Sequence, residues 1–318
     1  MLADLKLSVI ICSHQPDIPR LRRVLDALSR QTLPQAQWEC LLIDNASAPP
    51  LAPQFTAAWH PHFRVISEST LGLTPARLRG IAEARGEILV FVDDDCLLAP
   101  NYLETARQTF ADHPFLGTLG GYGTAEYETP PPAWMPASIR QYHLDNQTPR
   151  TGHPLFYARI QGRMGAWFPI GAGLAIRQDA ANAYRTQLQN DPIARGFDRS
   201  GKSLTGSGDL DMTITAINHG YAAGKHRDLQ FTHIVPSFRL ELPYMLRLLY
   251  MSNYSTTRLL IHRGWQQPVP TPPPGALRKL KRWLINHWPR SPLAQCRHAL
   301  KRGRIDALAS LPPSPPST

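Results

Sequence analysis

Ile88-Leu-Val-Phe-Val92 runs straight into Asp93-Asp94-Asp95, and this stretch decides the reading of the chain. A short, continuous apolar run of this kind fits a strand buried on both faces of a parallel sheet. The three carboxylates that follow repel one another, so they share a site only if something cationic occupies it. A hard divalent ion such as Mg2+ or Mn2+ suits oxygen ligands and normally shares its shell with water and substrate phosphates. In an open parallel sheet the carboxyl ends of the strands border the ligand crevice, which is where these aspartates belong. The plainer alternative is a solvated acidic turn, and the apolar strand in front of it argues against that.

Working outward, the first half alternates short apolar runs with amphipathic stretches, the pattern of an α/β domain. Leu7 to Cys12 reads as a first strand and Cys40 to Ile43 as a second, ending at Asp44. Residues 18–31 set Ile18, Leu21, Leu25 and Leu28 at helical spacing. Leu73 to Ala84 reads as a helix that Gly86 stops. From about 111 to 165 the chain is rich in Gly, Pro, Tyr and Trp without steady period, and irregular, lid-like structure is expected there. Ile170 to Ile176 reads as a glycine-broken strand. A helix is expected from Asp209 to about His219, and another from Leu242 to Ile261 with Pro243 in its first turn, where the missing N–H costs nothing. Gln266 to Pro274 reads as a proline-rich linker, giving a main domain over 1–265 and a linker with a basic tail over 266–318.

The 318 residues, 42% of them hydrophobic, suffice for a full core. No apolar run reaches the roughly 18 residues of a spanning helix, and the start of the chain does not read as a signal peptide, so a cytoplasmic protein is expected, peripheral at the inner face of a membrane if anchored. The cysteines, Cys12, Cys40, Cys96 and Cys296, lack CxxC spacing and are read as buried thiols. The net charge of +10 is concentrated: residues 239–318 hold 13 basic and 2 acidic side chains. Ala276 to Trp288 places Leu277, Leu280, Leu284 and Trp288 on one helical face among Arg278, Lys279, Lys281 and Arg282, which suits an anionic membrane surface. No nucleic-acid partner is expected. Dinucleotide-binding GxGxxG and the P-loop motif are both absent, which excludes the common nucleotide folds built on them.

Four pieces in order resemble the inverting family 2 glycosyltransferases of the GT-A fold: Val9-Ile-Ile-Cys-Ser-His14, Leu42-Ile-Asp-Asn-Ala-Ser47, Leu71-Gly-Leu-Thr-Pro-Ala-Arg-Leu-Arg-Gly80 and Leu89-Val-Phe-Val-Asp-Asp-Asp95. The likeness covers roughly residues 6–240. It implies a mixed, mainly parallel central sheet flanked by helices, here with a C-terminal helical extension. It also implies a nucleotide-sugar donor, UDP before other nucleotides, and a glycan or lipid-linked acceptor. By the same resemblance Asp44 binds the base and Ser13 lies beside it, a turn carboxylate making an Asx-type bond being the plainer reading of Asp44. Arg77 faces the diphosphate or ribose, Asp93 and Asp94 belong to the donor site, and Asp95 ligates Mn2+ or Mg2+. Leu78 stands where the family carries Asn, so one polar contact is missing.

Gly206-Ser-Gly-Asp-Leu-Asp-Met212 resembles the family's Gly-Glu-Asp-x-Asp-Leu segment, which makes Asp209 the catalytic base and puts Gly208 where the family has Glu. A carboxylate within hydrogen-bond reach can take the proton of an acceptor hydroxyl. Asp209 as a helix N-cap is the plainer reading, and the two are compatible. Asp211 is read as favouring the helix dipole. His233, after a strand-like run, stands where many GT-A enzymes supply a metal ligand; a structural histidine is the alternative. A different class also fits: a catalytically silent nucleotide-sugar or polyanion binder that kept the fold, for which Gly208 is the one supporting feature.

Overall fold

The computed structural model describes residues 5–143, 145, 153–201, 203–266 and 291–310. The strands are β1 (Leu7–Ser13), β2 (Trp38–Asn45), β3 (Phe63–Glu68), β4 (Ile88–Asp93), β5 (Cys96–Leu98), β6 (Leu116–Tyr127), β7 (Leu155–Ala158), β8 (Leu174–Arg177) and β9 (Ala222–Val235). The α-helices among the described residues are α1 (Ile18–Ser29), α2 (Leu73–Glu83), α3 (Tyr102–Asp112), α4 (Ala137–Arg140), α5 (Gln178–Gln189), α6 (Gly208–Asn218), α7 (Leu242–His262) and α8 (Pro292–Ala309). The nine strands among the described residues form one sheet in the order β3-β2-β1-β4-β8-β6-β9-β5, with β7 added on β9.

β1 to β4 are parallel, and their continuous apolar runs are divided between two cores. Val9, Ile11, Leu42 and Val90 pack beneath α1 and α3 on one face, against Leu21, Val24, Leu28, Tyr102 and Phe110. Ile10, Leu41, Ile43, Leu89 and Phe91 pack beneath α2, α5 and α6 on the other, against Ile81, Tyr184, Leu188, Met212 and Ile214. α1 starts cleanly because the Asp17 carboxylate accepts the Arg20 N–H at 2.9 Å. The chain leaves β1 toward β2 through α1 and returns from β3 to β4 through α2, so the sheet grows in opposite directions from β1. Register then sets Cys12 beside Asp93 and Ser13 beside Asp44. This is a switch point, where the carboxyl ends of the strands open a crevice.

The remaining strands bring further groups to the same edge. β8 runs antiparallel to β4, so the turn before it, residues 170–173, arrives beside Phe91. β5 pairs with β9 with Cys96 opposite His233, which carries that histidine to the acidic turn. α7 and α8 pack together around Met245, Leu249 and Cys296 and against Val235 and Ile139.

Two expectations are corrected. Residues 111–165 are not irregular throughout: they contain the twelve-residue β6 together with α4 and β7. The glycines of β6 hide it from a periodicity reading, and packing demands them. A Cβ at Gly120 would run into Pro169, and one at Gly121 would overlap the Leu229 carbonyl on β9. The strand expected over Ile170 to Ile176 begins only at Leu174, because the chain turns through Gly173 at φ +74. The helix α8 supplies the expected C-terminal helical extension, and the amphipathic stretch Ala276 to Trp288 lies outside the described residues.

Because the obstacle at Gly121 is backbone, Gly121→Ala is expected to cost stability at or above the upper end of the roughly 1–3 kcal/mol typical of overpacking. Gly196→Ala, at an exposed position with open space around it, is expected to be close to neutral. Urea unfolding of both variants against the parent chain checks the contrast.

Candidate functional site

The carboxyl ends of β1 and β4, the 70–73 loop, the turn before β8, the 198–206 loop and the end of β9 enclose a cavity of about 450 Å3. Seven of the eight residues expected at the site line it: Ser13, Arg77, Asp93, Asp94, Asp95, Asp209 and His233. Asp44 does not. It is buried at the end of β2, where its carboxylate accepts the Ser47 N–H at 3.1 Å and the Leu51 N–H at 2.8 Å. It therefore shapes the 46–51 loop, as an Asx-type turn carboxylate does. Its neighbour Asn45 does face the cavity, and accepts the Gly72 N–H at 2.8 Å while donating to the Thr70 carbonyl at 2.7 Å.

The three aspartates after β4 differ in their surroundings. Ser13 Oγ donates to Asp94 Oδ2 at 2.5 Å, yet burial, with the charge of Asp95, lifts the Asp94 carboxyl to about 6. Asp93 is raised as well, first by burial and then by Asp95, against the opposing charges of Arg77 and Arg199. Asp95 goes the other way. Burial would raise it, but the charges of Arg239, 3.0 Å away, and of Arg199 hold it well below the usual carboxylate range. Arg239 Nη1 lies 3.0 Å from Asp95 Oδ2 and His233 Nε2 lies 3.5 Å from the same oxygen.

Asp95, Cys96 and His233 place possible ligand atoms within 4.8 Å of one another. His233 Nδ1 sits 2.7 Å from the His143 carbonyl, so that nitrogen carries the proton and Nε2 offers its lone pair toward Asp95. An ionised carboxylate and a neutral imidazole suit Mn2+ or Mg2+, with the other positions open to water and phosphate oxygens. Cys96 fits poorly: burial, then Asp95 and Asp93, push its thiol far up, and a thiol must ionise to ligate.

Across the cavity stands Asp209, in the first turn of α6. Ser207, not Asp209, is the N-cap. The Asp209 carboxylate accepts the N–H of Gly171 at 2.7 Å and of Leu210 at 2.8 Å. Burial raises its pKa, Arg77 lowers it and Asp198 raises it again. Arg77 is itself buried and paired to Asp198 at 2.5 Å, so its fork is already half used within the protein. Asp198 explains Gly208. Any Cβ at 208 would overlap the Asp198 carboxylate and stand 2.5 Å from Arg77 Nη1. A carboxylate from the 198–206 loop thus fills the space where a side chain at 208 would begin. Asp211 does more than meet the helix dipole, since Arg263 grips both its oxygens at 2.6 and 2.7 Å and ties the end of α7 to α6.

Asp198, Arg199 and Arg239 escaped the sequence reading because loops and short turns carry them, with no period or motif spacing. The glycine at 208 was the one available signal, and it pointed to a missing carboxylate without saying where the replacement came from. Leu78 is not among the cavity residues and packs instead against the α2, α5 and α6 core.

Comparison with known proteins places these features in context. The family model described as glycosyl transferase family 2 matches residues 8–184. Glycosyltransferase AglE of Haloferax volcanii is 32% identical over 108 residues, 33% of this chain and 35% of that protein. Putative glycosyltransferase EpsH of Bacillus subtilis is 30% identical over 145 residues, 45% of this chain and 40% of that protein. The chain therefore spans well under half the length of these relatives. Among solved structures, S. aureus TarS in complex with UDP-GlcNAc superposes with a TM-score of 0.54 at 15% identity, covering 96% of this chain and 82% of that one. Mannosyltransferase PcManGT from Pyrobaculum calidifontis, in complex with GDP-Man and Mn2+, gives 0.55 at 18% identity, covering 96% and 76%. These two likenesses establish the GT-A fold.

Removing one partner of the buried Arg77–Asp198 pair leaves an unmatched charge. Asp198→Ala is therefore expected to cost about 3 kcal/mol or more in chemical denaturation. Joining it with Arg77→Met is expected to cost less than the two single changes summed, a non-additivity that a double-mutant cycle reads directly.

Proposed function

This chain belongs to glycosyl transferase family 2, and on that premise we propose that it transfers a sugar, with inversion, from a nucleotide-sugar donor to a glycan or lipid-linked acceptor. The observation that carries the reading is the pairing, across one cavity of about 450 Å3, of the Asp93–Asp95 turn with the buried carboxylate of Asp209. That volume is in the range of ligand pockets. We assign the donor's base to the ends of β1 and β2, near Ser13, Asn45 and the loop that Asp44 holds. A pyrimidine, and so a UDP-sugar, is the first choice. The diphosphate belongs near the acidic turn, with Arg199 exposed at the rim of the cavity to meet its charge.

In this reading Asp209 accepts the proton of the acceptor hydroxyl as that oxygen attacks the anomeric carbon, and the nucleoside diphosphate departs from the opposite face. The backbone N–H groups of Gly171 and Leu210 fix the carboxylate for that task. Asp95 and His233 would hold the divalent ion, which when bound offsets charge on the leaving diphosphate. The silent-binder reading loses its one supporting feature, because the Asp198 carboxylate occupies the space at Gly208.

The decisive experiment is release of nucleotide from a panel of UDP-, GDP- and dTDP-sugars with Mn2+. Asp209→Asn is expected to lower kcat by about 10²–10⁴-fold while leaving donor affinity nearly intact. An equal loss of donor affinity would assign Asp209 to binding instead. Asp95→Ala or EDTA is expected to abolish turnover, and full activity in EDTA would overturn the metal-dependent part. The base works ionised and burial raises its pKa, so the acid limb of kcat is expected above the ordinary carboxylate value of about 4.

No described helix is long and apolar enough to cross a membrane. For the basic stretch over 276–288 we propose an interfacial anchor, each cation contributing on the order of 1 kcal/mol near anionic lipid. The full chain is expected to sediment with anionic liposomes at low salt and a chain ending near Gln267 is not. Equal behaviour of the two rejects the anchor.

A further inference from the structure

Arg239 stands at the one point that two metal ligands would have to share. It lies on the short turn after β9 with a mostly buried side chain, and its Nη1 is 3.0 Å from Asp95 Oδ2 and 3.1 Å from His233 Nε2. Those two atoms face each other at 3.5 Å. Since His233 Nδ1 is committed to the His143 carbonyl, Nε2 has only its lone pair to offer, and Arg239 takes it. A divalent ion needs the same lone pair and the same carboxylate oxygen, each about 2.0–2.2 Å away. A guanidinium N–H and a metal cannot occupy that place together.

We infer that Arg239 is the resident counter-cation of Asp95 and His233, and that a divalent ion enters only by exchange with it. The inference rests on the metal reading given above and concerns how the metal is admitted. Without metal, Arg239 offsets charge that the buried acidic turn could not hold alone. On exchange the guanidinium stays charged inside the same cavity and needs a new acceptor. Its Nε is already buried without a hydrogen-bond partner among the described residues. The diphosphate of a nucleotide supplies acceptor oxygens of the right charge for a planar fork. Nucleotide therefore draws Arg239 away from Asp95, and metal and nucleotide bind cooperatively through this one side chain.

Calorimetric titration of the full chain with Mn2+, alone and with saturating UDP, tests this. Arg239→Gln is expected to bind Mn2+ alone about tenfold more tightly than the parent, and to gain less from UDP. Arg239→Lys keeps the charge but cannot span both atoms. It is expected to fall between them, and carries the comparison should Arg239→Gln not fold. Equal Mn2+ affinity in all three proteins overturns the exchange while leaving the metal reading standing. No Mn2+ binding by any of them, with or without UDP, overturns both.

Discussion

Negative charge gathered in a dry place is the constraint to which the rest of this structure answers. Asp93, Asp94 and Asp95 end a strand buried on both faces, and Asp198 and Asp209 close the same cavity from the other side. Two like charges about 4 Å apart cost roughly 4 kcal/mol at an effective dielectric near 20. The chain meets this with cations drawn from far apart in sequence: Arg77 from α2, Arg199 from a loop and Arg239 from the turn beyond β9. The docking of the second half of the chain onto β1 to β4 is therefore also the assembly of a charge balance.

The same constraint reaches into the backbone. Bringing Asp198 onto Arg77 requires bare backbone at 208, and bringing the turn before β8 within bonding distance of Asp209 puts Gly171 so close that a Cβ there would touch both Arg77 and that carboxylate. Glycine at these positions is the cost of packing charged groups tightly enough to neutralise one another.

The sequence was informative where burial acts on contiguous residues. β1, β2 and β4 read as apolar runs because both faces of a parallel sheet are covered, and α1 and α2 read by their spacing. The acidic turn was legible for a related reason, since charge directly after such a run is rarely accidental. β6 was not legible, because the glycines that let Pro169 and the Leu229 carbonyl approach erase the alternation that marks a strand. Residues acting through long-range contacts stayed hidden for a different reason: no local pattern announces that Asp198 will lie on Arg77, 121 residues away, or that Arg239 will bridge Asp95 and His233. Asp44 shows the converse limit. Its place at a strand end and an Asx-type turn role were both legible, but not that this role would keep its carboxylate out of the cavity.

Asp95 and Asp209 are chemically the same residue, both buried beside arginine, yet their surroundings push their carboxyl groups in opposite directions. Beside Asp95, Arg239 brings positive charge with no second carboxylate paired to it, and the group is held ionised far below its ordinary range, which suits the metal-ligand role proposed for it. Around Asp209, the neighbouring Arg77 is already paired to Asp198, so much of its field is spent before it reaches the candidate base. Burial then outweighs what is left, and Asp209 keeps a raised affinity for a proton while two backbone N–H groups still orient it. Environments that push two carboxyl groups in opposite directions separate ligand from base. Here the difference comes down to whether the adjacent cation has a second carboxylate to satisfy, and under the proposed function Asp198, a residue outside any motif, would help set the strength of the base.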